Sequence, residues 1–327
     1  MTDVVGIDVS KAKLDCLWLR DHTTLKVKTK VMANDNKGHQ ALCQWLPKTL
    51  KLEPAQILVV MEATGIYHEQ VAVTLHDAGF RVAVVNPAHI KAYAQSLGNT
   101  HKTDKQDSLI IARFGAERAP ALWQPEPLEI RELKALIARL EALEVDYQRE
   151  SNRLEKAELR PASQTVLDSI HTMLSELEKA KRRIEEDIDN HIDRHPGLKQ
   201  DNALLESIPG VGKVVSRLML SVIHSRDFTG AKQVAAYLGL IPTQVESGVF
   251  RGRSALSKRG PASVRAKLYM AAVCASHHNP DVSAMKERLL QNGKNHMQAI
   301  GAAMRKLVHI CFGVISNQTE YRPQTVS

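Results

Sequence analysis

Four carboxylates have the spacing of a cluster that forms only when the chain folds. Asp8 and Glu62 each lie at or just beyond the end of a short apolar run, in Val-Val-Gly-Ile-Asp and Val-Val-Met-Glu. Asp104 and Asp107 are three residues apart, which places them on one face of a helix. A fold that brings the strand ends together would make these four residues one acidic cluster.

Such a cluster would need a hard divalent cation such as Mg²⁺. Two carboxylates about 4 Å apart repel each other by roughly 4 kcal/mol at an effective dielectric of about 20. Metal ions relieve that repulsion, and paired metal ions serve to cut or join phosphodiesters. Asp3 and Asp15 are weaker candidates, because they fall on predicted strand edges or turns.

A second group of reactive residues lies between positions 244 and 267. Glu-Ser-Gly places the hydroxyl of Ser247 beside a glycine. The six basic residues that follow, with no acid among them, are Arg251, Arg253, Lys258, Arg259, Arg265 and Lys267. A hydroxyl near guanidinium groups could attack a phosphate that those groups hold. Taken alone, the run is more typical of a solvated basic loop with an incidental Ser-Gly turn.

A third feature is a turn suited to a nucleic-acid backbone. The run Leu-Leu-Glu-Ser-Ile-Pro-Gly-Val-Gly-Lys, which ends at Lys213, predicts an apolar helix, a tight turn and a second helix, the pattern of a helix-hairpin-helix. Gly210 and Gly212 would allow close approach of the backbone, and the amides of a helix N-terminus favour a phosphate. A plain helical turn is the alternative.

The overall composition is that of a basic globular protein with more than one domain. The 327 residues are enough for two cores. A net charge of +8 and a pI near 9.3 favour a polyanionic partner such as nucleic acid. Aromatic residues make up only 4% of the chain, which argues against a surface that stacks single-stranded bases.

The sequence predicts a cytoplasmic protein. The four cysteines lie far apart without a Cys-x-x-Cys pair, which disfavours a zinc ribbon and fits buried thiols in a reducing compartment. No N-terminal stretch resembles a signal peptide. No apolar run approaches the length that a membrane span requires.

Residues 1–125 alternate between strand and helix patterns and must position all four carboxylates. Strands are predicted at Asp3–Val9, Leu14–Leu19, Thr24–Val31, Ile57–Met61 and Arg81–Val85. Helices are predicted at Asn36–Leu46, Ile66–Ala78 and Ala88–Ser96, with another beginning near Asp104. Three strands in an antiparallel meander, followed by alternating helices and strands, indicate an α/β ribonuclease-H-like domain.

Residues 126–198 and 199–327 predict two further regions. Apolar residues with heptad-like spacing run from Ile130 to Leu140 and, after a break at Pro161, from Leu167 to Ile188. They predict two long helices that form an antiparallel hairpin or an oligomerising coiled coil, with an intramolecular helical arm as the alternative. The last region is predicted to be mostly helical and carries the helix-hairpin-helix and the serine.

The motifs together resemble one family of enzymes. The chain contains Gly-Ile-Asp-Val-Ser-Lys, Met-Glu-Ala-Thr-Gly-Ile-Tyr, Val-Asn-Pro-Ala and Lys-Thr-Asp-Lys-Gln-Asp, and later Leu-Leu-Glu-Ser-Ile-Pro-Gly-Val-Gly, Ala-Ala-Tyr-Leu-Gly-Leu-Ile-Pro and Glu-Ser-Gly. In this order they resemble the DEDD transposases of the IS110 insertion-sequence family, which are related to the Piv/MooV invertases. The resemblance covers nearly the full length.

The resemblance implies a RuvC-like N-terminal domain, a coiled-coil arm and a C-terminal transposase domain. It implies that Asp8, Glu62, Asp104 and Asp107 are the catalytic tetrad that binds Mg²⁺, and that Ser247 is a nucleophile. The implied partners are donor DNA, target DNA and a structured bridge RNA that pairs with both. Because the tetrad and the serine fall in different domains, we also expect a dimer or tetramer.

The residues predicted to hold nucleic acid are Gly210, Gly212, Lys213, Arg251, Arg253, Lys258 and Arg259. A RuvC-like junction nuclease, or an invertase that acts without RNA, is the alternative function. A junction nuclease would need the tetrad but not Ser247, and a binding protein without activity would need neither. Gly-Ile-Asp-Val-Ser-Lys also resembles the phosphate-binding strand of actin-like ATPases, but no second glycine-rich phosphate loop of that type follows.

Overall fold

The computed structural model describes residues 3–21, 23–98, 103–159, 163–243, 246–247, 250–251 and 255–324. The chain divides into two compact units, Met1–Pro125 and Glu126–Ser327. A further boundary near residue 198 stays a prediction.

A mixed five-stranded sheet lies at the centre of the described part of the first unit. Its strands are β1 (Asp3–Val9), β2 (Lys13–Asp21), β3 (Lys26–Ala33), β4 (Ile57–Glu62) and β5 (Arg81–Val85), in the order β3-β2-β1-β4-β5. The first three strands are antiparallel, while β4 is parallel to both β1 and β5. This strand order confirms the ribonuclease-H-like part of the predicted fold.

Four helices are described around this sheet: α1 (Asn36–Leu50), α2 (Glu69–Asp77), α3 (Pro87–Ser96) and α4 (Asp104–Arg118). Polar side chains cap three of them, since Asp35, Asn86 and Thr103 accept hydrogen bonds from the first-turn amides of α1, α3 and α4. The helix predicted from Ile66 begins three residues later, at Glu69. Ile66 lies instead in an exposed turn.

Two glycines allow α4 to lie directly on the sheet. A Cβ atom at Gly6 of β1 would stand 2.6 Å from the backbone nitrogen of Ala112, and one at Gly115 of α4 would stand 2.5 Å from a methyl group of Val60. Real Cβ atoms do not approach other atoms so closely. Because neither glycine has a Cβ, the first turn of α4 comes close to the end of β1.

Gly6→Ala is expected to destabilise the first unit by about 2 kcal/mol or more, because the new methyl group would push α4 away from β1. Chemical denaturation followed by circular dichroism measures the loss. Gly230→Ala is the matched control, because a Cβ there would meet open space. Equal losses for the two variants would contradict the close-packing argument.

The described part of the second unit is mostly helical. Its helices are α5 (Leu128–Glu158), α6 (Gln164–Arg194), α7 (Pro196–Glu206), α8 (Lys213–Ile223), α9 (Ala231–Tyr237), α10 (Ala262–His278), α11 (Pro280–Gln291) and α12 (His296–Asn317). Four two-residue strands are described between α9 and α10: β6 (Pro242–Thr243), β7 (Glu246–Ser247), β8 (Phe250–Arg251) and β9 (Ala255–Leu256).

The helices α5 and α6 have 31 residues each and run antiparallel against one another. The ammonium of Lys181 lies 4.7 Å from the ring centre of Tyr147. Where the start of α5 meets the end of α6, His191 Nε2 lies 2.8 Å from the carbonyl oxygen of Glu129. At that end Ile130 and Ile188 are buried in the core of the unit. A coiled-coil arm with a role in oligomerisation stays a prediction.

One described helix departs from the expectation about membrane spans. By length and composition α12 is apolar enough to cross a membrane. Half of the 18-residue apolar stretch in this helix is buried within the structure. Ile300, Leu307 and Cys311 of this helix lie in the core of the second unit. The expectation that no apolar run approaches spanning length was therefore wrong for α12, because a buried core helix has the same composition.

Candidate active site

Asp8 lies near the end of β1, at the centre of the sheet, and is half-buried. Its partner in the antiparallel register is Asp15 of β2. On the other side of β1, Ile7 pairs with Met61 of β4, which places Glu62 at the same edge of the sheet. The structure thus brings Asp8 and Glu62 to adjacent strand ends, as the pattern predicted, and adds Asp15.

Asp104 and Asp107 form the first turn of α4. The hydroxyl of Ser108 fixes this turn to the sheet, since its Oγ lies 2.8 Å from the carbonyl oxygen of Asp15 and 2.9 Å from that of Asp104. Ser108 is buried, and sequence reasoning missed it. A small polar residue directly after Asp107 was the only signal.

The protonation of Asp8 depends on its burial and on the neighbouring carboxylates. Burial is the largest cause that raises the pKa of Asp8, followed by the charges of Asp107, Asp104 and Asp15, while Lys13 lowers it. The cluster thus carries excess negative charge, which a bound cation would neutralise.

The donor set fits a hard divalent cation. Carboxylate oxygens are the ligands that Mg²⁺ prefers, and the backbone brings the four predicted ligands toward one end of the sheet. Within the described ranges, however, no three His, Cys, Asp or Glu side chains stand close enough to hold a metal ion. The ammonium of Lys13 instead lies 2.6 Å from Oδ2 of Asp104 and 3.0 Å from Oδ2 of Asp15.

A hydrogen-bonded amide connects the loops that follow β1 and β4. Asn34 Nδ2 donates to the carbonyl oxygen of Ser10, at 2.8 Å, and to that of Tyr67, at 3.1 Å. Nε2 of the buried His39 lies 2.7 Å from Oδ1 of Asn34. Burial lowers the pKa of His39, so the neutral ring donates to Asn34. Asn34 and His39 were also missed, because Asn34 joins positions distant in sequence and His39 acts through Asn34.

Ser247 lies in the second unit, in the hairpin of β7 and β8. The backbone register pairs Ser247 with Phe250 and Glu246 with Arg251. Arg253 lies outside the described residues, as do positions 244–245, 248–249, 252 and 254. The backbone therefore places Ser247 and Arg251 on adjacent short strands.

Lys258 and Arg259 are exposed just after β9. Their loop is held by backbone hydrogen bonds, from Ser257 to the carbonyl oxygen of Ile241 at 2.8 Å and from Lys258 to that of Gly239 at 3.2 Å. Two basic side chains thus project to solvent from a backbone that is fixed in place. This arrangement suits contact with a polyanion.

The predicted glycine turn joins α7 to α8. Gly210 has a φ of +93°, and a Cβ there would stand 2.6 Å from Cβ of Ala275, so this glycine is needed for packing against α10. Gly212, in contrast, faces open space and begins α8 without a side-chain cap. Lys213 is exposed and lies 3.5 Å from Asp189. Open amides beside a lysine suit a phosphate, and the helix-hairpin-helix role stays a prediction.

Two family models match this chain in sequence. The model for IS110-type DEDD transposases, described as a transposase, matches residues 5–159. The model described as the transposase IS116/IS110/IS902 family matches residues 202–287. The first spans all four predicted tetrad residues and the second spans Ser247.

Full-length relatives agree with these models. A pilin gene-inverting protein of Moraxella bovis is 32% identical over 314 residues, which cover 95% of each chain. The transposase for insertion sequence element IS1111A of Coxiella burnetii is 24% identical over 81% of this chain and 79% of its own. These matches define a DNA-recombining enzyme of the transposase and invertase class. The chain belongs to the IS110 family of transposases.

A solved structure, T. thermophilus RuvC in complex with a Holliday junction substrate, is 16% identical to this chain. The match covers 36% of this chain and 95% of RuvC, with a TM-score of 0.27. This likeness is too weak to add to what the strand order of the first unit shows.

Proposed function

We propose that this protein cuts and rejoins DNA strands through a phosphoserine on Ser247, with Mg²⁺ at the tetrad and a structured RNA that selects the DNA sites. One observation carries the proposal. In a member of a transposase family, Asp8, Asp104 and Asp107 interact at one edge of a sheet with ribonuclease-H order.

The carboxylates of Asp8, Glu62, Asp104 and Asp107 would hold the cation, which when bound stabilises negative charge that develops on the phosphate. The protein's own contribution is to hold in place the backbone that carries these side chains. Gly6 allows α4 to approach, and Ser108 ties its first turn to β2. Metal binding then requires only side-chain movement, and the fixed backbone keeps the bound site in place during the reaction.

Ser247 would act as the nucleophile. Its Oγ attacks phosphorus and releases its proton, the bond from phosphorus to a sugar oxygen breaks, and the released sugar oxygen takes up a proton. One phosphodiester is replaced by another, now to serine, so the bond is not lost to hydrolysis. Attack by the hydroxyl of a second strand reverses these steps and frees Ser247. The side chains of Arg251 and Arg253 would hold the phosphate oxygens.

The complete site would require both units, because the tetrad belongs to the first and Ser247 to the second. We propose that a dimer or tetramer assembles it, with the tetrad of one subunit beside the serine of another. Cutting would then wait until donor and target DNA are both bound.

Nucleic-acid backbones would be held by Gly210, Gly212 and Lys213 at the start of α8 and by Lys258 and Arg259. Lys213→Ala and Lys258→Ala are each expected to weaken DNA binding for all sequences alike. Each should reduce the slope of log K against log salt concentration by about one, since each removes one phosphate contact.

Fluorescence anisotropy across a salt series measures these slopes. Lys294→Ala removes an exposed charge from the loop between α11 and α12 and is the matched control. A similar change in that variant would mean that net charge, rather than these positions, determines binding.

A guide RNA would supply the sequence specificity. Support comes from the net charge of +8 and the scarcity of aromatic residues. Both suit a protein that contacts the phosphate backbone of nucleic acid rather than its bases. DNA inversion without RNA is the second candidate, favoured by the 32% identity to the pilin gene-inverting protein.

Reconstitution separates these functions. The purified protein is incubated with Mg²⁺, donor and target DNA, and RNA transcribed from non-coding DNA that flanks the gene. Strand exchange that depends on this RNA supports the guided recombinase, and exchange without RNA supports the invertase. Cleavage of branched DNA without exchange or a covalent adduct would support a junction nuclease.

A further inference from the structure

Lys13 is a cation within the acidic cluster. Its Nζ contacts a carboxylate of β2, Asp15, at 3.0 Å and a carboxylate of α4, Asp104, at 2.6 Å. Its backbone is fixed by the preceding turn, where Ser10 N donates to the carbonyl oxygen of Lys13 at 3.0 Å and Lys13 N donates to Ser10 Oγ at 3.2 Å. The ammonium therefore joins two elements that carry acids of the candidate active site.

We propose that Lys13 is a positioning residue: its ammonium holds Asp15 and Asp104 together until a divalent cation displaces it. The proposal rests on the proposed function, in which Asp104 is a metal ligand. Lys13 would then be the counter-ion of the carboxylates in the metal-free protein, and Asp15 would be one of the two carboxylates that it holds.

Charge explains why the exchange is favourable. The charges of Asp15, Asp104 and Asp107 repel that of Asp8, and Lys13 offsets this repulsion with a single positive charge. A divalent cation brings two charges and accepts several oxygen ligands. One ammonium can therefore stabilise the cluster but is outcompeted once the metal ion is present at sufficient concentration.

The geometry allows the exchange without unfolding. The described carboxylates are not placed to surround one ion, so at least one must move, and Asp104 of the tetrad is engaged by Lys13. The side chains of Lys13 and Asp104 are 44% and 59% exposed. Both can turn toward solvent while Ser108 keeps the backbone of α4 in place.

Calorimetric titration of the full-length protein with Mg²⁺ or Mn²⁺, without nucleic acid, tests the exchange. Lys13→Met should lower the Kd for the metal about fivefold, because two exposed ion pairs no longer compete. Lys13→Arg keeps the charge and should remain within about twofold of the wild type. Lys11→Met removes a charge from an exposed side chain on the same turn and is the matched control.

A thermal melt provides a second readout that does not depend on activity. In EDTA, Lys13→Met should have a lower melting temperature than the wild type. Addition of Mg²⁺ should raise the melting temperature of the variant more than that of the wild type, since the metal neutralises repulsion that Lys13 no longer offsets. Lys13→Gln repeats both measurements if the methionine variant does not fold. Unchanged or weaker metal affinity in the charge-removing variants overturns the inference.

Asp104→Asn distinguishes this failure from failure of the metal site itself. If this variant loses metal affinity while Lys13→Met matches the wild type, the tetrad stands and the role of Lys13 is wrong. If Asp104→Asn binds metal as well as the wild type does, Asp104 is not a metal ligand. That result would contradict both the role of Asp104 in the proposed function and the inference about Lys13.

Discussion

Asp8→Asn is expected to reduce DNA cleavage and strand exchange by about 10³-fold or more. A metal ligand at the reacting phosphate contributes several kcal/mol of transition-state stabilisation, and each 1.36 kcal/mol is about tenfold in rate. Asn has nearly the same shape as Asp but lacks the charge that holds a cation. Gel analysis of cleaved and exchanged DNA measures the effect.

The same substitution is expected to raise the melting temperature when no metal is present. Burial and neighbouring carboxylates raise the pKa of Asp8 above its ordinary value of 3.8. The folded state therefore keeps this proton at pH values where the unfolded state has lost it. The stability contribution is fully present below pH 3.8 and is lost as pH rises through the folded-state pKa.

Asp8→Asn has no such proton to lose. In thermal melts in EDTA, the melting temperature of the variant should rise relative to that of the wild type as the pH rises from about 4 to 7. Asp3→Asn is the control on the same strand, because Asp3 accepts a hydrogen bond from Trp18 Nε1 at 3.0 Å and lies at the other end of β1. That variant should keep its activity.

Two results would contradict this account of Asp8. Cleavage by Asp8→Asn at the wild-type rate would remove Asp8 from the tetrad. A lower melting temperature for the variant at neutral pH would show that the carboxylate stabilises the fold, and the repulsion inferred for the cluster would be wrong.

Local patterns were sufficient to predict most of the first unit. The bounds predicted for β1 and β5 agree with the structure, because apolar runs between turn residues mark buried strands. The early start predicted for α2 failed at Ile66 and Tyr67, whose apolar side chains fit a helix pattern but lie exposed in the preceding turn. Periodicity cannot show where a loop presents apolar residues to solvent.

The support for the site could not be predicted, because it depends on contacts between distant parts of the chain. Lys13 meets Asp104 only because α4 crosses the end of β2, and that crossing depends on Gly6 and Ser108. Nothing in the local sequence of any of these residues indicates the contact. Asp15 looked weaker because its position read as a strand edge or turn, whereas the antiparallel register places it opposite Asp8.

The second unit shows a different limit. Heptad spacing predicted two long helices, and the structure has them as α5 and α6. The described strands beside and at Ser247 have two residues each, which is too short for a periodic pattern. Its role was assigned from a motif rather than from any element.

Ser247→Ala is expected to reduce strand exchange by at least about 10⁴-fold and to abolish the covalent protein–DNA adduct, since no other group on the enzyme would attack the phosphate. Binding of DNA and RNA should be unchanged, because a single hydroxyl is lost. Denaturing gels of labelled DNA detect the adduct. Ser257→Ala is the matched control: its hydroxyl is buried after β9, and the variant should retain the adduct.

Mixing Ser247→Ala with Asp8→Asn tests whether one active site contains residues of two subunits. The first variant lacks the nucleophile and the second lacks a tetrad carboxylate, so each alone should be inactive. In a mixed oligomer the intact tetrad of the first variant can meet the intact serine of the second, and exchange should return to a measurable fraction of the wild-type level. An inactive mixture, in oligomers shown to contain both variants, would place the tetrad and the serine of each site in one chain. An adduct on Ser247→Ala protein would instead remove this serine from the mechanism.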